Sequence, residues 1–393
     1  MSSAKIIFKK YQAQTFPYPS CLEVVSASGS YIRDIDGKEY LDFVAGVSAC
    51  TLGHTNPIVT KAIKNQLDKY LHVMVYGEYL QSPQYRLAEL LANNLPKSLD
   101  CTYFTNSGTE AIEGAMKLAK RATGRSEIIS CTNSYHGSTQ GALSIMGNEF
   151  HKSKFRPLLP DCHQIIYNNE ESLKNITKRT AAVIIEPIQG ASGFVTPKNN
   201  FLQKVKKRCI EKGTLLILDE IQTGYGRLGS LFGFTKYSIV PDILCLAKGM
   251  GGGMPIGAFI SSWKLMNLLT FEPKLGHITT FGGHPINCAA SLAILSHLLE
   301  TDIIESIEVK EKLFRKYLTH PKIKEIRGSG LMLAIEFEDK ELTRKVVEES
   351  LKQGLILFYF LFTETAVRIT PPLNITIGEI KKGCNIINRI IST

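Results

Sequence analysis

Short, continuously apolar runs recur along the middle of the chain: Glu127-Ile-Ile-Ser-Cys131, Ala181-Ala-Val-Ile-Ile185, Thr214-Leu-Leu-Ile-Leu218, Asp242-Ile-Leu-Cys-Leu246 and Gly257-Ala-Phe-Ile260. Runs that are apolar throughout suit strands buried on both faces, whereas a half-exposed strand alternates. Helical spacing fills some of the gaps. After Ser107-Gly108-Thr109, the residues Ala111, Ala115, Leu118, Ala119 and Ala122 share one helix face, and Phe201 to Lys212 spans another crossover. Strand and helix in alternation predict an α/β layer fold around a mostly parallel sheet. The last hundred residues differ. Charged helical stretches at 303–318 and 339–353 alternate with short strands at 330–337 and 366–369, which predicts a smaller α+β unit. Strand-like segments at 22–25 and 30–34 are expected to join it. The expected division is 1–50 as an N-terminal segment on the small domain, 51–290 as the large domain and 291–393 as the C-terminal small domain.

Composition narrows the partners. The chain has 393 residues, and 46 Lys and Arg against 36 Asp and Glu give a formal charge of +10, which raises a polyanionic partner. The basic clusters at 204–208 and 310–316 have acidic residues close by, so they read as solvated helices and no nucleic acid is expected. The uncharged stretch from Gly249 to Trp263 is broken by Gly251, Gly252, Gly253 and Pro255, and no membrane span is expected. Residues 1–10 lack the apolar core of a secretory leader. Nine cysteines at irregular spacing, without Cys-x-x-Cys, predict reduced thiols in a cytoplasm and no structural metal.

The chemistry gathers where strands end. In α/β sheets ligands collect beyond the carboxyl ends of the strands. Three runs end in an isolated functional residue: Glu186 after Val183-Ile-Ile185, Asp219 after Leu215–Leu218, and Lys248 after Ile243–Ala247. Each alone reads as a cap or a surface residue; together they bring opposite charges to one edge. A lysine among apolar neighbours has lowered basicity and can form Schiff bases. A buried aspartate can hold a protonated ring nitrogen, as a pyridoxal phosphate (PLP) electron sink requires. A phosphate cradle is also present: Thr105-Asn-Ser-Gly-Thr-Glu110 opens the amphipathic helix, with Ser107 and Glu110 at capping-box spacing and Gly108 allowing close backbone approach. Tyr135, just past another strand, is suited to stack on a pyridine ring.

One motif misleads. Gly224-Tyr-Gly226-Arg-Leu-Gly229 fits the dinucleotide fingerprint, but five residues separate it from the preceding strand and a poor helix follows. A nicotinamide cofactor is therefore not expected.

These pieces resemble the class III aminotransferases (the acetylornithine, ornithine and 4-aminobutyrate group), PLP enzymes of fold type I. The resemblance runs from Gly37–Phe43 to Arg368–Leu373 and is carried most specifically by Asn106-Ser-Gly-Thr-Glu-Ala111, Glu186-Pro-Ile-Gln-Gly190, Leu218-Asp-Glu-Ile-Gln-Thr-Gly224, Ala247-Lys-Gly-Met-Gly251 and Thr279-Thr-Phe-Gly-Gly283. It implies that Lys248 holds PLP as a Schiff base and then moves the substrate proton, while Asp219 pairs with the ring nitrogen. Gln222 would lie near the ring hydroxyl, Tyr135 over one face, Glu186 close to the cofactor, and Ser107, Gly108 and Thr109 on the phosphate. Thr280 resembles the residue that reaches a neighbouring subunit's phosphate, which implies a homodimer with shared sites. Arg368 would grip a substrate carboxylate through its bidentate fork.

The departures concern the substrate. Ala191 stands where ornithine and acetylornithine enzymes usually carry the glutamate that gates the carboxylate arginine. Ser138 replaces a second carboxylate-binding arginine, and Val47, with Thr15 less securely, stands where the ornithine enzyme has tyrosines. A strict ornithine δ-aminotransferase is disfavoured. The reading is an aminotransferase moving an amino group from an acetylornithine-like or other ω-amino acid to a 2-oxo acid, 2-oxoglutarate first. A β-alanine/4-aminobutyrate- or alanine–glyoxylate-type transaminase, or a decarboxylase or aminomutase on the same fold, stands as the alternative.

Overall fold

A computed structural model describes residues 3–393. Its centre is a seven-stranded sheet of β1 (Cys101–Thr105), β2 (Glu127–Cys131), β3 (Cys162–Ile165), β4 (Thr180–Ile185), β5 (Leu215–Asp219), β6 (Ile243–Leu246) and β7 (Gly257–Ser261). The strand order is β1-β7-β6-β5-β4-β2-β3. Five strands run parallel, and β7 lies antiparallel to both β6 and β1. The α/β class and mostly parallel sheet agree with the hydrophobic pattern. Strands β2, β4, β6 and β7 are buried at every position, as their unbroken apolar runs require. Strand β3 is absent from that pattern for a physical reason: Cys-His-Gln-Ile sits at the sheet edge, half-exposed, and needs no apolar run.

Two small sheets flank this core. Strands Val24–Ser28, Tyr31–Asp34 and Glu39–Asp42 form an antiparallel meander, and Leu355–Ile356 adds to it parallel to Glu39–Asp42. Strands Ile323–Ser329, Met332–Phe337, Ala366–Ile369 and Phe358–Tyr359 form the other, wholly antiparallel. Arg368 lies in the third of these. No helix among the described residues is long and apolar enough to cross a membrane.

The segment leaving Glu39–Asp42 makes a left-handed turn. Ala45, Gly46, Val47 and Ser48 have φ of 50°, 60°, 60° and 68° in succession. This hand brings Cβ against the following carbonyl and costs roughly 1–2 kcal/mol for each residue other than glycine. It persists because the flanks are pinned. Thr370 donates through its backbone N–H to Phe43 O (2.7 Å) and through its hydroxyl to Val44 O (3.0 Å). Leu373 N donates to Thr51 O at 2.8 Å, and Thr51 Oγ1 to Gly249 O at 2.9 Å.

Helix Gly108–Thr123 packs on the sheet at close range, since a Cβ on Gly114 would overlap the fully buried ring of Phe259 in β7. Glycine in a helix interior normally loses about 1 kcal/mol to alanine. Here overpacking outweighs that gain, so Gly114→Ala is expected to lower stability by about 1–2 kcal/mol, read as a reduced midpoint in chemical denaturation.

Candidate active site

Strands β4, β5 and β6 are adjacent and parallel, with Ile185 in register with Leu218 and Asp219 with Cys245. Their carboxyl ends therefore deliver Glu186, Asp219 and, three residues beyond Cys245, Lys248 to one edge. All three line a single cavity of about 530 Å³, and the start of helix Gly108–Thr123 closes another wall.

Asp219 is 4% exposed and bonded on both oxygens. Oδ2 lies 2.7 Å from His136 Nδ1, and Oδ1 accepts the Ile221 N–H at 3.0 Å. Burial lowers the basicity of His136, but the hydrogen bond and charge of Asp219 outweigh it, so the imidazole is raised overall. His136 Nε2 is buried without a hydrogen-bond partner. Glu186, also buried, accepts from Tyr135 N at 2.9 Å and Gly190 N at 2.5 Å. Burial and the neighbouring Asp219 push it up to about 7, against the opposing effects of His136 and those two N–H groups.

Lys248 has a left-handed backbone (φ 43°) and starts a single 3₁₀ turn. Burial and the nearby Arg368 charge lower its basicity to about 8, with Asp219 and Glu186 opposing. An amine so poised is partly neutral near physiological pH, which is the nucleophilic form.

Ser107 caps the helix in extended backbone, and its Oγ accepts from Glu110 N at 3.3 Å. The reciprocal arm differs from the expected capping box: Glu110 Oε2 accepts from Asn106 N, at 2.8 Å, one residue before the cap. The N-terminal N–H groups beyond Ser107 are thus left for an anion in the cavity. Thr109 Oγ1 lies 2.6 Å from Thr139 Oγ1. A Cβ on Gly108 would meet Ile221 Cδ1 at 2.7 Å, and one on Gly190 would meet Gln222 Oε1 at 2.5 Å, so a side chain at either would have to displace Ile221 or Gln222 at the wall. Gln222 donates from Nε2 to Ser48 Oγ at 3.0 Å. Tyr135 OH is 3.1 Å from Ser138 Oγ.

Ser107, Gly108, Thr109, Tyr135, Ser138, Glu186, Asp219, Gln222 and Lys248 all line this one cavity, whereas Arg368, Val47 and Thr280 do not. Arg368 stands behind it, 7% exposed, with Nε donating to Tyr359 O at 3.2 Å. Its guanidinium carbon lies 4.9 Å from the Phe360 ring and 6.0 Å from Phe194. Burial lowers it to about 10, and no ion pair satisfies it among the described residues. Val47 is half-buried in the left-handed turn, next to Ser48, which holds Gln222. Thr280 is exposed on a loop that Asn106 Nδ2 ties down through Thr279 Oγ1 at 2.9 Å. Ala191 lines the cavity and presents no carboxylate to Arg368.

Sequence reasoning gives no role to His136, which follows Tyr135 directly and lines the same cavity. It also passes over Ser48 and Ile221, whose parts depend on distant elements meeting.

Residues 13–391 match the family model described as Aminotransferase class-III. Acetylornithine aminotransferase of Methanopyrus kandleri is 39% identical over 384 residues, covering 97% of this chain and 96% of that protein. Its counterpart in Clostridium acetobutylicum is 38% identical, covering 92% and 94%. The ornithine aminotransferase structure from Toxoplasma gondii superposes with a TM-score of 0.91 at 30% identity, covering 99% and 94%. A PLP-bound amine transaminase from an uncultivated Pseudomonas species gives 0.87 at 27% identity, covering 96% and 99%. With strand ends, cavity and sequence in agreement over nearly its whole length, the chain belongs to the class III aminotransferases and is a transaminase of PLP-dependent transferase fold type I.

Proposed function

We propose that this transaminase binds PLP on Lys248 and moves an amino group from an acetylornithine-like or other ω-amino acid to 2-oxoglutarate. The observation that carries the substrate class is Arg368. A guanidinium almost wholly withdrawn from water, packed beside the Phe360–Phe194 ring pair and without an ionic partner among the described residues, is suited to an anion brought by a ligand. Its charge helps lower the basicity of Lys248, which puts the guanidinium within electrostatic reach of the reacting lysine.

The residues present fit PLP. The helix start at Ser107–Thr109 offers unpaired N–H groups to a phosphate, Tyr135 lines the cavity wall, and Asp219 faces it with its geometry held from behind by His136. When bound, PLP supplies an electron-withdrawing ring that stabilises negative charge at the substrate carbon. The chain's own part is separable. Asp219, hydrogen-bonded to His136 and to the Ile221 N–H, would favour a proton on a ring nitrogen placed against it. Lys248, with basicity near 8, would hold PLP through its neutral amine, and the same amine is placed to accept and return a substrate proton. Glu186, at about 7, holds Tyr135 and Gly190 by their backbones.

A second reading rests on Ser138 and Ala191. With a serine bonded to Tyr135 and an alanine at the gate, only Arg368 among these positions addresses a carboxylate, which suits donors and acceptors with one such group, as in β-alanine/4-aminobutyrate- or alanine–glyoxylate-type transamination. The homodimer is supported by an apolar face around the Thr280 loop, where Leu80, Trp263 and Phe281 are 96%, 62% and 53% exposed.

A panel of amino donors against 2-oxoglutarate, pyruvate and glyoxylate separates the readings, 2-oxoglutarate being the expected acceptor. Arg368→Ala is expected to raise KM for carboxylate substrates by about tenfold to a hundredfold, and unchanged KM values on every substrate would remove the clamp. Since Lys248 reacts as the neutral amine, PLP uptake by the cofactor-free protein should accelerate as pH rises through about 8 and level off above it, measured by stopped-flow absorbance.

A further inference from the structure

The left-handed turn at Ala45–Ser48 is among the most strained backbone in the described chain, and it lies beside the site. Four successive residues have φ between 50° and 68°, including the β-branched Val47, a residue type that is a genuine outlier there. Sustained strain of this kind persists only where the surroundings over-determine it, and it clusters at functional sites. The surroundings here are the site's own supports. Thr370, two residues past Arg368, holds Phe43 O and Val44 O, while Thr51 holds Gly249 O, next to Lys248. At the turn's last position, Ser48 Oγ accepts from Gln222 Nε2 at 3.0 Å, with Ser48 itself 2% exposed. A right-handed or extended path between the same pinned flanks would carry the Ser48 side chain elsewhere.

We propose that this strained turn exists to present Ser48 to Gln222, and that Ser48 is a positioning residue which sets the direction of the Gln222 amide in the cavity. The inference rests on the reading of Gln222 as the group beside the ring hydroxyl of PLP. The other end of that amide is close-packed as well, because Gln222 Oε1 lies 2.5 Å from where a Cβ on Gly190 would stand. With Nε2 donating to Ser48 Oγ, one amide N–H is held by the turn and the second is left to the cavity.

Two substitutions separate positioning from structural support. Ser48→Ala and Ser48→Gly both delete the hydroxyl, but only glycine accepts the left-handed backbone without strain, so the cofactor-free Gly variant should melt above the Ala variant. Both should nevertheless share one change with PLP bound: the pH midpoint of the visible absorption of lysine-bound PLP moves in the same direction, and the PLP dissociation constant from equilibrium dialysis rises about fivefold to tenfold. Variants that titrate and bind PLP as the wild type does, or whose PLP affinity follows melting temperature rather than the hydroxyl, would overturn the inference alone. A wild type that gains no visible band with PLP would overturn the cofactor reading and this inference with it.

Discussion

Asp219 Oδ2 lies 2.7 Å from His136 Nδ1 in a region where both side chains are almost entirely removed from water. A buried charge survives only with a close partner and satisfied hydrogen bonds, and leaving either partner alone would cost on the order of 3–5 kcal/mol. That constraint explains the order of the surroundings. The sheet must be parallel here so that Asp219 and Glu186 emerge at one edge, and the loop after β2 must return to set His136 against Asp219 and Tyr135 N against Glu186. Lys248 completes the arrangement as a cation softened by burial, close enough to feel both carboxylates.

Much of this was legible because burial writes itself into local composition. Strands buried on both faces must be apolar throughout, so β2, β4, β5, β6 and β7 stand out, and a lone charged residue at the end of such a run is conspicuous. Edge strand β3 carries no such signature, and the antiparallel direction of β7 is invisible to a pattern that records burial and not polarity of the chain. The capping box was legible in its spacing but not in its geometry, since Asn106 N competes for the Glu110 carboxylate. His136 and Ser48 were opaque for another reason: each matters through one contact with a residue 83 or 174 positions away.

Ala191 and Ser138 line the cavity and bring no charge to it, while Glu186, Asp219 and Lys248 bring three ionisable groups to the strand ends. Arg368 packs beside the paired rings of Phe360 and Phe194, which offer no competing carboxylate. Arg368, the carboxylate clamp proposed above, belongs to a different sheet from the strands that carry the charge cluster, so a change at one need not disturb the other.

The central claim is that the lysine after β6 is the group that reacts with PLP, and its most direct test is chemical. Holoprotein reduced with borohydride, digested and mapped by mass spectrometry should carry a single phosphopyridoxyl adduct, on Lys248. Reduction that leaves Lys248 unmodified, or that marks a different lysine, would contradict the account at its root.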